Sequence, residues 1–153
     1  RQTQTLIERG TTMFIKQISV FIENRHGRLT EFTKLLGKND IDLIALSIAD
    51  TTNFGILRAI VSDNDKALKI SRDAGFTANL TEVLAVAVPD VPGGLDGVLQ
   101  LLSDNDIFIE YLYSFVRRVG NDAIIIFRVD QPERCAQLLK DNGIRILEQN
   151  EIA

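Results

Sequence analysis

Residues 18–46, ISVFIENRHGRLTEFTKLLGKNDIDLIAL, are written a second time at 84–112 as LAVAVPDVPGGLDGVLQLLSDNDIFIEYL. At this offset of 66 positions Val20 falls on Val86, Gly27 on Gly93, Leu29 on Leu95 and Leu36 on Leu102, and Asn39, Asp40 and Ile41 fall on Asn105, Asp106 and Ile107. An offset of 68, reached after a hairpin two residues longer, carries Ile56 onto Ile124, Val61 onto Val129, Asp73 onto Asp141 and Gly75 onto Gly143. The chain is two copies of one small unit, and function in such a chain is expected at the seam between copies and in the loops that both keep. Units of about 70 residues bury a limited share of their surface, so they are expected to pack on each other or on another chain. The repeat divides the chain into domains at 13–82 and 83–153. Residues 1–12, RQTQTLIERGTT, are polar, precede Met13 and have no counterpart in the second copy, so they are set apart as an extension, expected to be non-native or disordered.

The order of elements is the same in both copies. From Phe14 to Glu23 apolar residues alternate at Ile18, Val20 and Ile22, the period of a half-buried strand, and Leu84, Val86 and Val88 repeat the pattern. Leu29, Phe32, Leu35 and Leu36 then fall at helical spacing, as do Leu95, Val98, Leu101 and Leu102. Each helix is expected to stop at an Asn-Asp pair, residue types that tolerate turn conformations. Strands at 43–50 and 108–117 lead through short turns into strands at 56–61 and 123–129, two antiparallel hairpins. A second helix carries Ala67, Leu68, Ile70 and Ser71 in one copy and Cys135, Ala136, Leu138 and Leu139 in the other. Gly75 and Gly143 stand where its C-terminal backbone must turn left-handed. Last strands follow near 77–83 and 145–149. The fold class is α+β: two ferredoxin-like βαββαβ units, each an antiparallel sheet of order 4-1-3-2 with its helices on one face.

Composition removes several classes of function. Seventeen Lys and Arg against 21 Asp and Glu give a formal charge of −4, with no electrostatic reason to expect nucleic acid. One Cys and one His cannot make a disulfide or a structural zinc site, and Cys135 is read as a packed core thiol. No apolar run reaches the ~20 residues that cross a bilayer and no signal peptide is seen, so a cytoplasmic protein is expected. A nucleophile needs a neighbouring base, and His26 and Cys135 are far apart in sequence, so catalysis is not expected. RNA-recognition modules of this topology stack bases on third-strand aromatics, whereas GILRAIV and AIIIFRV are mostly aliphatic. Heavy-metal carriers need a Cys-x-x-Cys loop, which is absent.

The loop after the first strand carries the motif. It reads Asn24-Arg25-His26-Gly27-Arg28-Leu29 in one copy and Asp90-Val91-Pro92-Gly93-Gly94-Leu95 in the other. Each glycine lies just before a helix N-terminus, where unpaired N–H groups and the positive end of the helix dipole suit a small carboxylate. The bland alternative is a glycine that serves only the turn, with arginines pairing to surface carboxylates. Tyr111, Tyr113 and Phe115 share one strand face and are read first as packing.

The βαββαβ order with this D/N-x-x-G-x-L loop resembles the ACT domain, and the tandem, over residues 14–152, resembles stand-alone double-ACT proteins. His26 stands where the family usually has Pro; Pro92 fits. The resemblance implies sheets that pair side by side through their second strands, with an amino acid at the seam. On that implication residues Asn24 to Leu29 face Tyr113 and Ser114, and residues Asp90 to Leu95 face Ser47 and Ile48. The sequence is thus read as a non-catalytic sensor of a free amino acid, needing no cofactor or metal. A homodimer and a metabolic enzyme or regulator are its expected partners. The alternative is a ligand-free adaptor that docks on an enzyme or transcription factor.

Overall fold

A computed structural model describes residues 14–50, 53–115 and 120–152. The elements run β1 (Ile15–Glu23), α1 (Arg28–Lys38), β2 (Leu43–Asp50), β3 (Phe54–Val61), α2 (Asn64–Asp73) and β4 (Ala78–Pro89). They continue with α3 (Gly94–Asp104), β5 (Ile109–Ser114), β6 (Asp122–Val129), α4 (Pro132–Asp141), β7 (Ile146–Leu147) and α5 (Gln149–Ile152). Two compact units result, Lys16–Thr81 and Glu82–Ile152, and Phe14 and Ile15 belong with the second.

Both units have the expected order. The first sheet reads β2-β3-β1-β4 and the second β7-β4-β6-β5, antiparallel throughout. In the first unit the residues from alternate strand positions, Ile18, Val20, Leu57, Ala59 and Val61, share one core with Phe32 and Leu36 of α1 and Ala67 of α2. Because both helices meet the same strand face, they lie on one side of the sheet. The second core repeats this with Leu84, Val86, Phe127 and Val129 against Val98 and Leu102 of α3 and Cys135, Ala136 and Leu139 of α4. Phe14 adds its ring to this second core, although it opens the first strand pattern.

Each of the four long helices ends in the same device. After α1, Asp40 takes φ 57, its N–H donates to the Gly37 carbonyl and the N–H of Ile41 donates to Leu36. Such a pair of bonds satisfies carbonyls that the helix itself leaves open, and buried Ile41 supplies the apolar contact that goes with it. Asp106 and Ile107 do the same after α3, Gly75 and Phe76 after α2, and Gly143 and Ile144 after α4. Asn39 and Asn105 add a side-chain bond each, donating to the carbonyls of Leu35 and Leu101 at 2.9 and 2.8 Å.

Two strand expectations are corrected. The last strand of the first copy and the first strand of the second are one 12-residue strand, β4, because no Gly or Pro interrupts ANLTEVLAVAV. Its first residues neighbour β1, whereas Leu84–Pro89 pair with β6. The last strand of the second copy shrinks to Ile146 and Leu147, since the chain turns into α5 directly after Glu148. The Glu148 N–H donates to the Glu151 carboxylate at 2.9 Å, half of a capping box, and Arg145 pairs with that same side chain. β2 bonds to β3 and β5 to β6, and each is an edge. Among the described residues no helix is long and apolar enough to cross a membrane.

Cys135 is fully buried, and burial, with the charge of Asp130 adding to it, pushes the thiol up to about 11. A thiol reagent at about pH 8 should therefore leave the native protein unlabelled and react on unfolding; fast native labelling would contradict this packing. Ser71, the counterpart of Leu139, is also fully buried, and its hydroxyl has no hydrogen-bond partner among the described residues. Ser71→Ala should be neutral or stabilise by up to about 1 kcal/mol in urea unfolding, because it removes an unsatisfied donor. A clear loss of stability would show that the hydroxyl is bonded.

Candidate functional site

Both loops have one backbone plan. Gly27 and Gly93 are the N-caps of α1 and α3, with φ 84 and 82, and neither helix has a side-chain cap. A left-handed N-cap favours glycine, and it leaves the first-turn N–H groups without a side-chain acceptor of their own. In the first loop the Arg25 N–H donates to Glu23 and the Arg28 N–H to Arg25; Val91 to Pro89 and Gly94 to Val91 are the same bonds in the second. Each loop is also tied to the hairpin turn at its end of the sheet, Asn24 N–H to the Asn53 carbonyl at 3.1 Å and Asp90 N–H to Asn121 at 3.4 Å.

The side chains part company. Arg28 donates from Nε to Glu23 at 3.0 Å and from Nη1 to Glu31 at 2.8 Å. Arg25 stands 3.8 Å from Glu23 and 3.6 Å from Glu31. The guanidinium of Arg28 lies 3.8 Å from the centre of the Phe76 ring, and Phe76 in turn meets Phe32 edge to face at 5.4 Å. The loop arginine is thus anchored to the first core through two aromatic rings, and its side chain is only 12% exposed. Glu23, Glu31 and Phe76 were not singled out from the sequence. Glu31 could have been, standing three residues after Arg28 on a helix; Phe76 is near only after folding.

The second loop has no such network. Pro89, Val91, Gly94 and Gly97 stand where the first copy has Glu23, Arg25, Arg28 and Glu31. At Gly94 a side chain is excluded, because a Cβ would stand 2.0 Å from the Pro89 carbonyl oxygen. Asn24, Arg25, His26, Gly27, Asp90, Val91, Pro92 and Gly93 are exposed, and Gly94 and Leu95 half-buried.

The strand residues expected to face these loops lie at sheet edges. Ile48, 43% exposed, is level with Leu57 and Val20, two strand spacings or about 10 Å from β1. Ser47 is half-buried beside Arg58 on β3. Ser114 is exposed, but Tyr113 is buried and stacks on Tyr111 with ring centres 6.5 Å apart, the packing role. Phe115 lies just beyond β5. Within a unit, then, the loop and the second strand do not meet.

Among the described residues, two open cavities are lined by none of the expected loop residues, although Glu23 and Asn53, which bond the first loop, border the second of them. One, of about 350 Å³, is lined by Phe14, Glu82, Arg128 and the start of α4. The other, of about 470 Å³, lies between Phe21, Phe54, Glu23 and Thr77. Among the described residues no cluster of His, Cys, Asp and Glu has the make-up of a metal site.

The Arg28 hydrogen bond holds the Glu23 carboxyl below its ordinary value of 4.5. A depressed carboxyl contributes stability that is fully present above the unfolded value and is lost as pH falls through the folded one. Glu23→Gln should therefore lower the urea midpoint at neutral pH, and its difference from the native protein should close as pH falls below the carboxylate range. A difference that persists unchanged in acid would contradict the ion network.

Residues 13–153 match the family described as the ACT domain pair. The crystal structure of protein BT0572 from Bacteroides thetaiotaomicron is similar at 43% identity and a TM-score of 0.86, over 93% of this chain and 97% of that one. The ligand-free regulatory subunit of aspartate kinase from Thermus thermophilus is similar in fold, at 14% identity and a TM-score of 0.59, over 85% of this chain and 93% of that one. The regulatory subunit of aspartate kinase from Thermus flavus is similar at 13% identity and a TM-score of 0.55, over 84% of this chain and 92% of that one. No curated protein matches the sequence. By its family match and its likeness to BT0572, the chain belongs to the ACT domain pair family.

Proposed function

We propose that this protein is a non-catalytic regulator that binds a free amino acid. The ligand carboxylate sits at the first turn of a glycine-capped helix, and the second strand of an adjoining unit closes the site. The observation that carries the reading is the pair of left-handed glycine N-caps without a side-chain cap, kept in both copies. A helix start of this kind offers N–H donors and the positive end of the dipole to a small anion.

The adjoining unit is best supplied by a second copy of the chain. β2 and β5 are edges, and β2 presents Leu46 and Ile48, 41% and 43% exposed, on the side of the sheet that bears the helices. An edge with unpaired peptide groups and apolar side chains is an invitation to pair. In such a homodimer Ser47 and Ile48 of one copy, or Tyr113 and Ser114, would border the loop of the other. The name of the Thermus relative, a regulatory subunit, fits a protein whose ligand changes what a partner enzyme does. Cys135 is sealed in a core with a raised pKa, and His26 lies on an exposed loop, which favours regulation over covalent chemistry. The same exposed edges suit a second reading, a ligand-free adaptor docking on an enzyme or transcription factor.

Thermal unfolding with each of the twenty amino acids in turn separates the two. A ligand at about 100 times its Kd adds roughly 2.7 kcal/mol to the native state, which for a chain this long raises the midpoint by roughly 5–10 °C. One amino acid, or a related pair, should do so. No shift with any of them would leave the adaptor.

A further inference from the structure

The cavity of about 350 Å³ in the second unit is lined by charges of both signs that do not satisfy one another. Arg128 and Arg134 bring two guanidinium groups to it, and Glu82 and Glu133 bring two carboxylates. Arg128 donates from Nη1 to the backbone carbonyl of Glu82 at 2.9 Å, and its Nε stands 3.7 Å from the Glu110 carboxylate. Arg134 donates from Nη1 to the Gln131 side-chain oxygen at 3.3 Å. Among the described residues no hydrogen bond or ion pair engages the carboxylate of Glu82 or of Glu133, and each arginine keeps an Nη2 without a partner.

The first copy is built differently here. Its counterparts of Arg128 and Arg134 are Ile60, which is fully buried, and Lys66, which donates to the Asn39 carbonyl at 2.7 Å. Nor does the cavity belong to the loop site, since β4 rises by about 20 Å between Glu82 and Pro89, where the second loop begins.

We propose that this cavity is a binding site for a small zwitterion, a free α-amino acid, separate from the glycine-capped loops and independent of them. A lone anion would bring its charge against Glu82 and Glu133, and a lone cation against the arginines. A molecule with both charges satisfies the whole lining. Its carboxylate takes the open arms of Arg128 and Arg134, a forked and charge-assisted contact, and its ammonium takes Glu133 and Glu82. The rings of Phe14 and Pro132 supply apolar surface for its side chain. The volume falls at the lower end of the roughly 300–1,000 Å³ of small-molecule sites, which suits a ligand of that size.

The test is a titration of the full ¹⁵N-labelled chain with each of the twenty amino acids, followed at every amide. One amino acid, or a related pair, should shift the amides of Phe14, Glu82, Arg128, Glu133 and Arg134. The N-acetyl derivative and the carboxamide of that amino acid, each lacking one charge, should bind roughly tenfold more weakly or worse. Arg134→Gln should weaken the amino acid by a similar, roughly tenfold factor yet leave the carboxamide within about twofold, because the partner lost is the carboxylate. Glu133→Gln should behave likewise with the N-acetyl derivative. Both side chains are exposed, so neither change threatens the fold. Derivatives that bind as well as the parent, or equal losses for parent and carboxamide in Arg134→Gln, would overturn the zwitterion site. Shifts confined to 24–29 and 90–95 would overturn it and leave the loop site standing. Shifts at the cavity alone would uphold it and count against the loops, and no shift with any amino acid would overturn both.

Discussion

The fold depends on six of the described residues that carry the backbone through the left-handed region at helix ends, Gly27, Asp40 and Gly75 in one copy and Gly93, Asp106 and Gly143 in the other; Gly120, in a hairpin turn, is the seventh. Each of the six stands at the entry or exit of a helix, where the chain must change from strand to helix, or back, within a residue or two. Glycine does this without steric cost, and Asp tolerates it. Because the reversals are tight, each helix returns over the sheet it left, and Phe32, Leu36 and Ala67 reach Val20, Leu57 and Ala59. The same constraint makes the candidate site: a glycine that lets the chain enter α1 or α3 so abruptly also leaves the helix start without a side-chain cap.

The two copies show which parts of this plan are free to vary. Backbone turns are kept, and cores are repacked: Val98 and Ile144 take the places of Phe32 and Phe76 in the second copy, and Leu139 takes that of buried Ser71. In the first copy the aromatic pair provides the platform on which Arg28 lies. In the second the aliphatic replacements offer no such face, and Gly94, hard against the Pro89 carbonyl, could not hold an arginine without moving the loop. Side-chain exchange on a fixed backbone is thus enough to tie one loop to its core through Arg28 and to leave the other without that tie.

Most of the fold was legible in the sequence because its signals are local. The period-two runs at Ile18, Val20 and Ile22, the helical spacing from Leu29 to Leu36, and the glycines at 75 and 143 each report the backbone around them. Failures came where distant partners or competing local bonds decide. β4 runs through the expected boundary because nothing breaks it, and β7 is short because Glu148 and Glu151 bond each other. Phe14, alternating in register with β1, spends its ring on the other core. At the site, the glycine caps were readable and the arginine cluster was only half so: Glu31 is a helical neighbour of Arg28, but Phe76 comes near through the fold alone.

On the proposed reading, the backbone of a loop, more than its side chains, meets the ligand. The most direct measurement is a crystal structure grown with the amino acid that most raises thermal stability. The proposed function predicts its carboxylate on the first-turn N–H groups of α1 or α3, with the edge strand of a second copy across from it. A ligand bound elsewhere, or a helix start covered by the protein's own side chains, would contradict it.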